Sequence, residues 1–394
     1  MIYLHVPFCG SFCTYCDFYS EICRSRQAFN EYADAVIAEI RDRRKELEMN
    51  MSAQDAVNTL YIGGGTPSVL PLDVLSRIVG AVSQTERLSL VTEQLSLVTE
   101  PVEVTTPTEL FDEFTVEVNP EDIVEKGREY VRGLLALGVN RISMGIQSFN
   151  DDILRWMNRR HDAGNAVKAF HILRESGVRN ISIDLIFGIS QLTDETWKDT
   201  IEKALELSPE HISAYQLSIE EGSALAKMVA DGRYVEASEE QCRRQYDILC
   251  RCLGRSGYHH YEISNFAKPG FEAVHNSAYW RRAPYIGLGP GAHSLTGNVR
   301  SWNSQELPHR SPDGSSATYS RTSETLSPED IRVERIMLSL RTDKGLKATE
   351  LYSLTDSTVV DALLSEGALE RQGASIRIPE DHLFTSDEII RELI

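Results

Sequence analysis

MIYLHVPFCGSFCTYCDFYS, residues 1–20, opens on a short apolar run, Ile2 to Val6, which alternates, is rich in β-formers and reads as a strand. Pro7 ends it. Cys9, Cys13 and Cys16 follow within eight residues, spaced C-x3-C-x2-C. Three thiolates on one loop can hold three irons of a cubane cluster and leave the fourth iron to a ligand that is not protein. Zinc is a second reading, but zinc wants four closed ligands, usually from C-x2-C pairs, and neither His5 nor Cys23 completes such a set at a typical spacing. Three inert structural cysteines are the third.

Outward from this loop the chain alternates strand and helix. Gln27 to about Leu47 has apolar residues at helical spacing: Phe29, Tyr32, Ala33, Val36, Ile37 and Ile40. Val57 to Ile62 reads as a strand running into Gly63-Gly64-Gly65-Thr66-Pro67, and a helix follows over about Leu72 to Val82. Strands are expected at Phe114–Val118, Arg141–Ile146, Ile181–Phe187 and His211–Leu217, with helices at 126–137, 151–157, 163–176 and 195–207. Counting from Ile2, that is six strand–helix units. They imply an α/β fold with a parallel sheet and helices outside, a partial (βα)6 barrel short of the eightfold one, with ligands at the carboxyl ends of the strands. The alternation is interrupted once: Leu88-Ser-Leu-Val-Thr-Glu-Gln94 is followed by Leu95-Ser-Leu-Val-Thr-Glu-Pro101, identical at six of seven positions. A tandem duplication in a tolerant surface loop accounts for it, and 84–110 is read as an insertion.

The pattern changes after residue 217. Two helices, 223–232 and 238–256, lead to His275-Asn-Ser-Ala-Tyr-Trp280 and to Gly287-Leu-Gly-Pro-Gly-Ala-His-Ser294. Residues 303–327 are polar and read as a linker or exposed loop. Helices at 328–340 and 357–366, then β segments at 368–379, suggest a small winged-helix-like module. The expected organisation is thus a barrel over 1–220, an α+β extension over 221–320 and a tail module over 321–394.

With 394 residues, 41% of them hydrophobic and 25% charged, the chain has ordinary globular composition. Its formal net charge of -19 argues against non-specific binding to nucleic acid or anionic lipid. The start has no signal-peptide pattern and no run approaches eighteen apolar residues, so a cytoplasmic protein is expected. Seven cysteines, three at the front and Cys23, Cys242, Cys250 and Cys252 scattered, suggest metal ligation in a reducing compartment with no disulfide framework. Cys250 and Cys252 lack a partner motif and carry no second metal site on the sequence.

The cysteine triplet after the first strand and Gly-Gly-Gly-Thr-Pro after the second resemble the radical S-adenosylmethionine (SAM) superfamily. Tyr3-Leu-His-Val-Pro-Phe-Cys9, Glu117-Val-Asn-Pro120, Gly145-Ile-Gln-Ser-Phe149 and the tail narrow the resemblance to the oxygen-independent coproporphyrinogen III oxidase group. It implies a [4Fe–4S] cluster on Cys9, Cys13 and Cys16, with SAM on the open iron. It also implies SAM contacts from Tyr3, Gly64, Gly65, Thr66, Glu117, Gln147, Arg159 and Asp184. The residue chemistry agrees. A glycine turn lets backbone approach a ligand closely, Glu117 and Gln147 can bond hydroxyl or ammonium groups, and Asp184 in an apolar run is costly to bury unpaired.

Two features separate branches of the group. The oxidase resembles C-x3-C-x2-C-x-C, whereas Phe18 stands here at the last cysteine. His275-Asn276-Ser277-Ala278-Tyr279-Trp280 resembles the H-N-x-x-Y-W motif of a heme-chaperone branch. His275 offers an imidazole for heme iron, and Tyr279 and Trp280 offer flat faces for a porphyrin. The branch implies heme as third cofactor and cargo, a respiratory, membrane-associated haem-protein acceptor, an electron donor such as flavodoxin or ferredoxin, and peripheral association with the inner membrane. No nucleic-acid partner is expected. Whether SAM is turned over is left open. The alternative is the oxidase itself, in which a 5′-deoxyadenosyl radical abstracts hydrogen from the propionates of coproporphyrinogen III; Phe18 weighs against it. His293 is read either as facing the pocket or as a turn histidine.

Overall fold

The fold is seen in a computed structural model that describes residues 1–53, 56–94, 111–306 and 318–394. In chain order the elements are β1 (Ile2–Val6), β2 (Phe8–Cys9), β3 (Glu21–Ile22), α1 (Arg26–Asp42), α2 (Arg44–Met51), β4 (Thr59–Gly64), α3 (Leu72–Gln94), β5 (Glu113–Val118), α4 (Pro120–Ala136), β6 (Arg141–Gln147), α5 (Asp151–Trp156) and α6 (Ala163–Glu175). Then come β7 (Ile181–Phe187), α7 (Asp194–Leu207), β8 (His211–Gln216), α8 (Ala224–Ala230), α9 (Glu239–Arg255), β9 (His259–Glu262), β10 (Asn265–Ala267), α10 (Val274–Trp280), β11 (Ile286–Leu288), β12 (His293–Thr296), β13 (Val299–Asn303) and β14 (Arg321–Thr325). The chain ends in α11 (Pro328–Ser339), β15 (Leu346–Lys347), α12 (Ala348–Leu354), α13 (Ser357–Glu366), β16 (Glu370–Gln372), β17 (Ser375–Arg377) and α14 (Ser386–Leu393). Two compact units are built from these: residues 1–145, 155–181 and 284–325 form the first, and residues 146–154, 182–283 and 326–394 the second.

In the first unit β11, β1, β4, β5 and β6 lie side by side and parallel, with Ile2 between Leu60 and Ile286 and Thr115 beside Arg141. Parallel strands need both faces covered, and β1, β5 and β6 are buried along nearly their whole length. The expected apolar stripe of α1, including Phe29, Tyr32, Ala33, Val36 and Ile40, is buried.

This helix stops at Asp42 and restarts at Arg44, where the periodicity had suggested a single helix to Leu47. The cause is tertiary. Buried Arg43 donates to Glu39 at 2.8 Å, to Gly287 O at 2.6 Å and to Ser294 Oγ at 3.0 Å. Glu39 also accepts from Gly289 N at 2.8 Å and Asn303 Nδ2 at 2.7 Å. A buried charge is tolerable only when paired and bonded in this way. The cluster fastens Gly287, Gly289, Ser294 and Asn303, distant in sequence, to the end of α1, and β11 pairs with β1, a neighbour that the alternation did not reveal.

Three other expectations shift. Helix α4 begins at Pro120, six residues before the expected start, because proline suits a first helical turn and a non-helical break at Gly127 (φ 66°) interrupts the apolar pattern. The polar stretch 303–327 is no mere linker: β14 pairs antiparallel with β13, from Val299–Thr325 to Asn303–Arg321, and residues 307–317 lie outside the described ones. Helix α3 continues through the first copy of the duplication to Gln94; the second copy and the rest of 84–110 lie outside the described residues.

In the second unit β7 and β8 are parallel, and β10 and β9 follow as antiparallel strands. Buried His211 on β8 bonds Ser182 Oγ at 2.8 Å and Tyr261 Oη at 2.7 Å. The tail contributes α11 to α14 and a small antiparallel sheet in the order β15-β17-β16. Helix α12, only seven residues long, was not anticipated.

Candidate functional site

The cysteine loop leaves β1 and is stitched to the glycine turn after β4. Gly65 N donates to Val6 O at 2.8 Å and Thr66 N to Phe8 O at 2.7 Å. Its far side is tied to residues 156–158: Thr14 N donates to Met157 O at 3.1 Å, Thr14 Oγ1 to Trp156 O at 2.9 Å and Asn158 Nδ2 to Phe12 O at 2.7 Å. Asn158 has φ 58°, a left-handed conformation that asparagine tolerates better than most residues, and the turn it makes presents Arg159.

A belt of polar contacts then connects two of the cysteines. Cys9 Sγ lies 3.4 Å from Thr66 Oγ1, which accepts from Asn119 Nδ2 at 3.2 Å. Asn119 Oδ1 accepts from Arg159 Nη2 at 2.7 Å, and Arg159 Nη1 reaches Cys13 Sγ at 3.4 Å. Arg159 Nη2 also donates to Gly145 O at 2.7 Å, whereas its Nε is buried with no partner among the described residues. Burial pushes the Cys9 and Cys16 thiols up, Cys16 to about 11 despite a bond from the Phe18 backbone. Burial opposes the charge of Arg159, yet Tyr15, Cys13 and Glu121 around it raise its pKa above the usual arginine value.

Glu117, at the end of β5, accepts from Tyr61 Oη at 2.7 Å and from Gly64 N at 3.2 Å. Gly64 has φ 108°, which side-chain-bearing residues rarely adopt. At Gly63 a Cβ would stand 2.7 Å from Tyr61 Cε1 and 2.9 Å from the Glu117 carboxyl. Tyr3 Oη donates to His5 Nδ1 at 3.1 Å, because His5 Nε2 donates to Tyr19 O at 2.9 Å. Behind the belt, Arg160 meets Glu121 at 2.9 Å and Asp122 at 3.1 Å. Burial alone would raise the Glu121 pKa, but the hydrogen bond with His161 and the charges of Arg159 and Arg160 outweigh it and hold it at about 2.

The first unit therefore gathers Cys9, Cys13, Cys16, Tyr3, Gly64, Gly65, Thr66, Glu117 and Arg159. Gln147 and Asp184 belong to the second unit. Gln147 closes β6 with φ 69°, a strained setting for glutamine of the kind found at functional sites. Asp184 lies on β7 between buried Ile183 and Leu185. Also in the second unit, α10 carries His275, Tyr279 and Trp280. His275 is 1% exposed, and its Nε2 and Tyr279 Oη are 3.2 Å apart. The start of α10 is held by Ala273 N donating to Tyr261 Oη at 3.3 Å, and the turn after it by Arg282 (φ 58°) meeting Glu334 at 2.7 Å. Phe18 is 64% exposed, and His293 stacks on Trp302 at 5.7 Å.

The sequence pattern of the radical SAM superfamily matches residues 3–204. The chain is 33% identical to the heme chaperone HemW of Lactococcus lactis, over 87% of this chain and 82% of that one, and 33% identical to that of Bacillus subtilis, over 87% and 84%. It is 30% identical to the Mycobacterium tuberculosis HemW over 100% of this chain and 94% of the relative. The chain belongs to the HemW family of the radical SAM superfamily. A solved structure, coproporphyrinogen III oxidase from Escherichia coli, described as a radical SAM enzyme, matches with a TM-score of 0.75 over 99% of this chain and 89% of its own, at 22% identity. That likeness shows a shared fold.

Membership in the superfamily implies a [4Fe–4S] cluster and SAM. The residues present fit both. Three sulfur donors stand on one loop, one of them beside a buried guanidinium that would offset thiolate charge, and the Nε of Arg159, with no partner among the described residues, can donate to a carboxylate. Reading the sequence missed Tyr61, Asn119 and the Arg160–Glu121–His161 group. Asn119 stands inside the Glu117–Pro120 motif and could have been found there; nothing in the sequence marks Tyr61 as the partner of Glu117.

Among the described residues no helix is long and apolar enough to cross a membrane.

Proposed function

We propose that this member of the HemW family is a heme-binding chaperone with a radical SAM core, which passes heme to a haem protein. Cys9, Cys13 and Cys16 hold the cluster. Arg159 holds the carboxylate of SAM, the Gly63–Gly65 turn leaves room for its amino-acid end, and Glu117 meets its ammonium beside Tyr3 and Thr66; the family resemblance adds Gln147 and Asp184 as SAM contacts. A cluster held by these cysteines would be able to supply an electron to SAM. The chain's own residues position the cofactor, keep charge balanced around the thiolates and shield the loop.

Heme is assigned to His275, Tyr279 and Trp280. The observation that carries this reading is the likeness, over most of their length, to relatives named as heme chaperones, together with the pairing of His275 with Tyr279 on one helix. Phe18 favours it over the oxidase reading, since this exposed residue offers no fourth sulfur to the loop. Because His275 is buried against Tyr279, ligation through Nε2 exchanges that hydrogen bond for iron. The acceptor is a haem protein, respiratory and membrane-associated, met by peripheral contact; the electron donor is a protein such as flavodoxin or ferredoxin.

Hemin titration of the full-length, cluster-loaded protein tests the assignment. His275→Ala should lose the Soret shift of the wild type. An unchanged spectrum and stoichiometry in the variant would remove His275 from the site. Anaerobic formation of protoporphyrinogen from coproporphyrinogen III and SAM would replace the chaperone reading with the oxidase one.

A further inference from the structure

Cys250, dismissed from the sequence for want of a partner, acquires two partners in the fold. It projects from α9 toward His260 on β9 and Glu380, which follows β17 in the tail. Cys250 Sγ is 4.0 Å and Glu380 Oε1 3.1 Å from His260 Nδ1, and the three ligand atoms lie within 4.8 Å of one another. Cys252, two residues on, takes no part.

The imidazole is set for ligation by its other nitrogen. His260 Nε2 lies 3.4 Å from Ile263 O, and Tyr246 Oη, 3.3 Å from the same nitrogen, donates to that carbonyl at 2.9 Å. A ring N–H directed at a backbone carbonyl is the usual support of a metal-ligating histidine, and leaves Nδ1 to face the ligand. The ring is further fixed by stacking on Phe266, with centroids 4.1 Å apart and planes 15° from parallel. A proton on Nδ1 would serve Glu380 but leave the thiol, at 4.0 Å, poorly engaged. A tetrahedral cation with bonds of about 2.0–2.3 Å sets its ligand atoms about 3.3–3.7 Å apart, so side-chain movements of at most about 1 Å would let one ion serve all three.

We propose that Cys250, His260 and Glu380 form a second metal site, separate from the cysteine loop, for a divalent cation of zinc type. Sulfur, imidazole and carboxylate form a borderline-soft set suited to zinc and unsuited to magnesium or calcium; water or the second Glu380 oxygen supplies the fourth ligand. Burial, and then the nearby carboxylates of Glu380 and Asp247, push the Cys250 thiol up to about 12, so the ion takes its place by displacing a proton. Once bound, it joins helix α9, strand β9 and the tail at one point.

The test uses the full chain with its iron cluster loaded, stripped of loose metal with a chelator, then equilibrated with equimolar zinc chloride and freed of unbound ion. Iron and zinc are counted together by mass spectrometry. Wild type should retain zinc equimolar with protein, and its melting temperature should rise with zinc concentration. Cys250→Ser should lose the zinc and that rise while keeping its iron. Glu380→Gln, at a carboxylate 60% exposed and outside the core, should weaken zinc retention without affecting folding. Cys9→Ser should show the reverse pattern, losing iron and keeping zinc. Wild type that stays free of zinc, or Cys250→Ser and Glu380→Gln that both retain it fully, would overturn the proposal. So would loss of zinc from Cys9→Ser, which would place the ion at the cysteine loop.

Discussion

Replacing Gly63 with alanine adds one methyl group at the point where the glycine turn meets Glu117. The backbone does not resist, because Gly63 is not among the positive-φ positions, whereas its neighbour Gly64 is. The obstruction is steric: the new Cβ would stand 2.7 Å from Tyr61 Cε1 and 2.9 Å from Glu117 Cδ and Oε1. Glu117 must swing aside and release both the Gly64 N–H and the Tyr61 hydroxyl. Overpacking of this kind costs about 1–3 kcal/mol, and a lost hydrogen bond to a charged group about 1.5–3 kcal/mol. Because movement that relieves one effect deepens the other, a total near 3 kcal/mol is expected. For a unit of this size that lowers the melting temperature by about 6–12 °C. Gly80→Ala is the control, since Gly80 lies in helix α3 with nothing among the described residues within 4 Å of a new Cβ. It should gain about 0.5–1 kcal/mol. Calorimetry of the cluster-loaded protein reads the melt, and titration calorimetry the SAM affinity. If Gly63→Ala melts within a degree of wild type and binds SAM as tightly, the close approach at this turn does no structural or binding work and the reasoning fails.

Arg159→Gln keeps an amide near Asn119 but removes the charge beside Cys13; SAM affinity should fall about 10- to 100-fold, equivalent to about 1.5–3 kcal/mol, with iron content unchanged, by titration calorimetry. Glu121 has a folded pKa of about 2 against an ordinary value of 4.5. It therefore contributes stability above about pH 4.5 that is lost as pH falls toward 2, at most about 3 kcal/mol. Melting curves from pH 6 to pH 3 should accordingly fall less steeply for Glu121→Gln than for wild type, and parallel curves would refute this. Tyr279→Phe keeps the aromatic face but frees His275 Nε2 of one hydrogen bond; a gain of about 1 kcal/mol should tighten heme binding about fivefold in a Soret titration, and weaker binding would count against ligation through Nε2.

Much of this was legible in the sequence because it is local. The strand before Pro7, the cysteine spacing and the strand–glycine–helix order depend on neighbours a few residues apart, and β1, β4, β5, β6, β7 and β8 lie within two residues of where periodicity put them. The site was legible in part. Its cysteines and glycines announce themselves by spacing and type, whereas the belt from Cys9 through Thr66, Asn119 and Arg159 to Cys13 joins residues 40 to 146 positions apart. Helix ends were the least legible, since Arg43 ends α1 for the sake of Glu39, Gly287 and Ser294.

The sequence alone determined the parallel α/β plan, the three-cysteine loop and the motifs that lead to the family, because backbone propensity and ligand type are properties of short segments. Only the tertiary structure decided that β11 lies against β1, that Arg159 stands beside Cys13, that His275 is buried against Tyr279, and that Cys250 meets His260 and Glu380. Such pairings are fixed by burial. A charge, thiol or imidazole withdrawn from water must find a partner, and packing, not sequence distance, determines which partner is within reach.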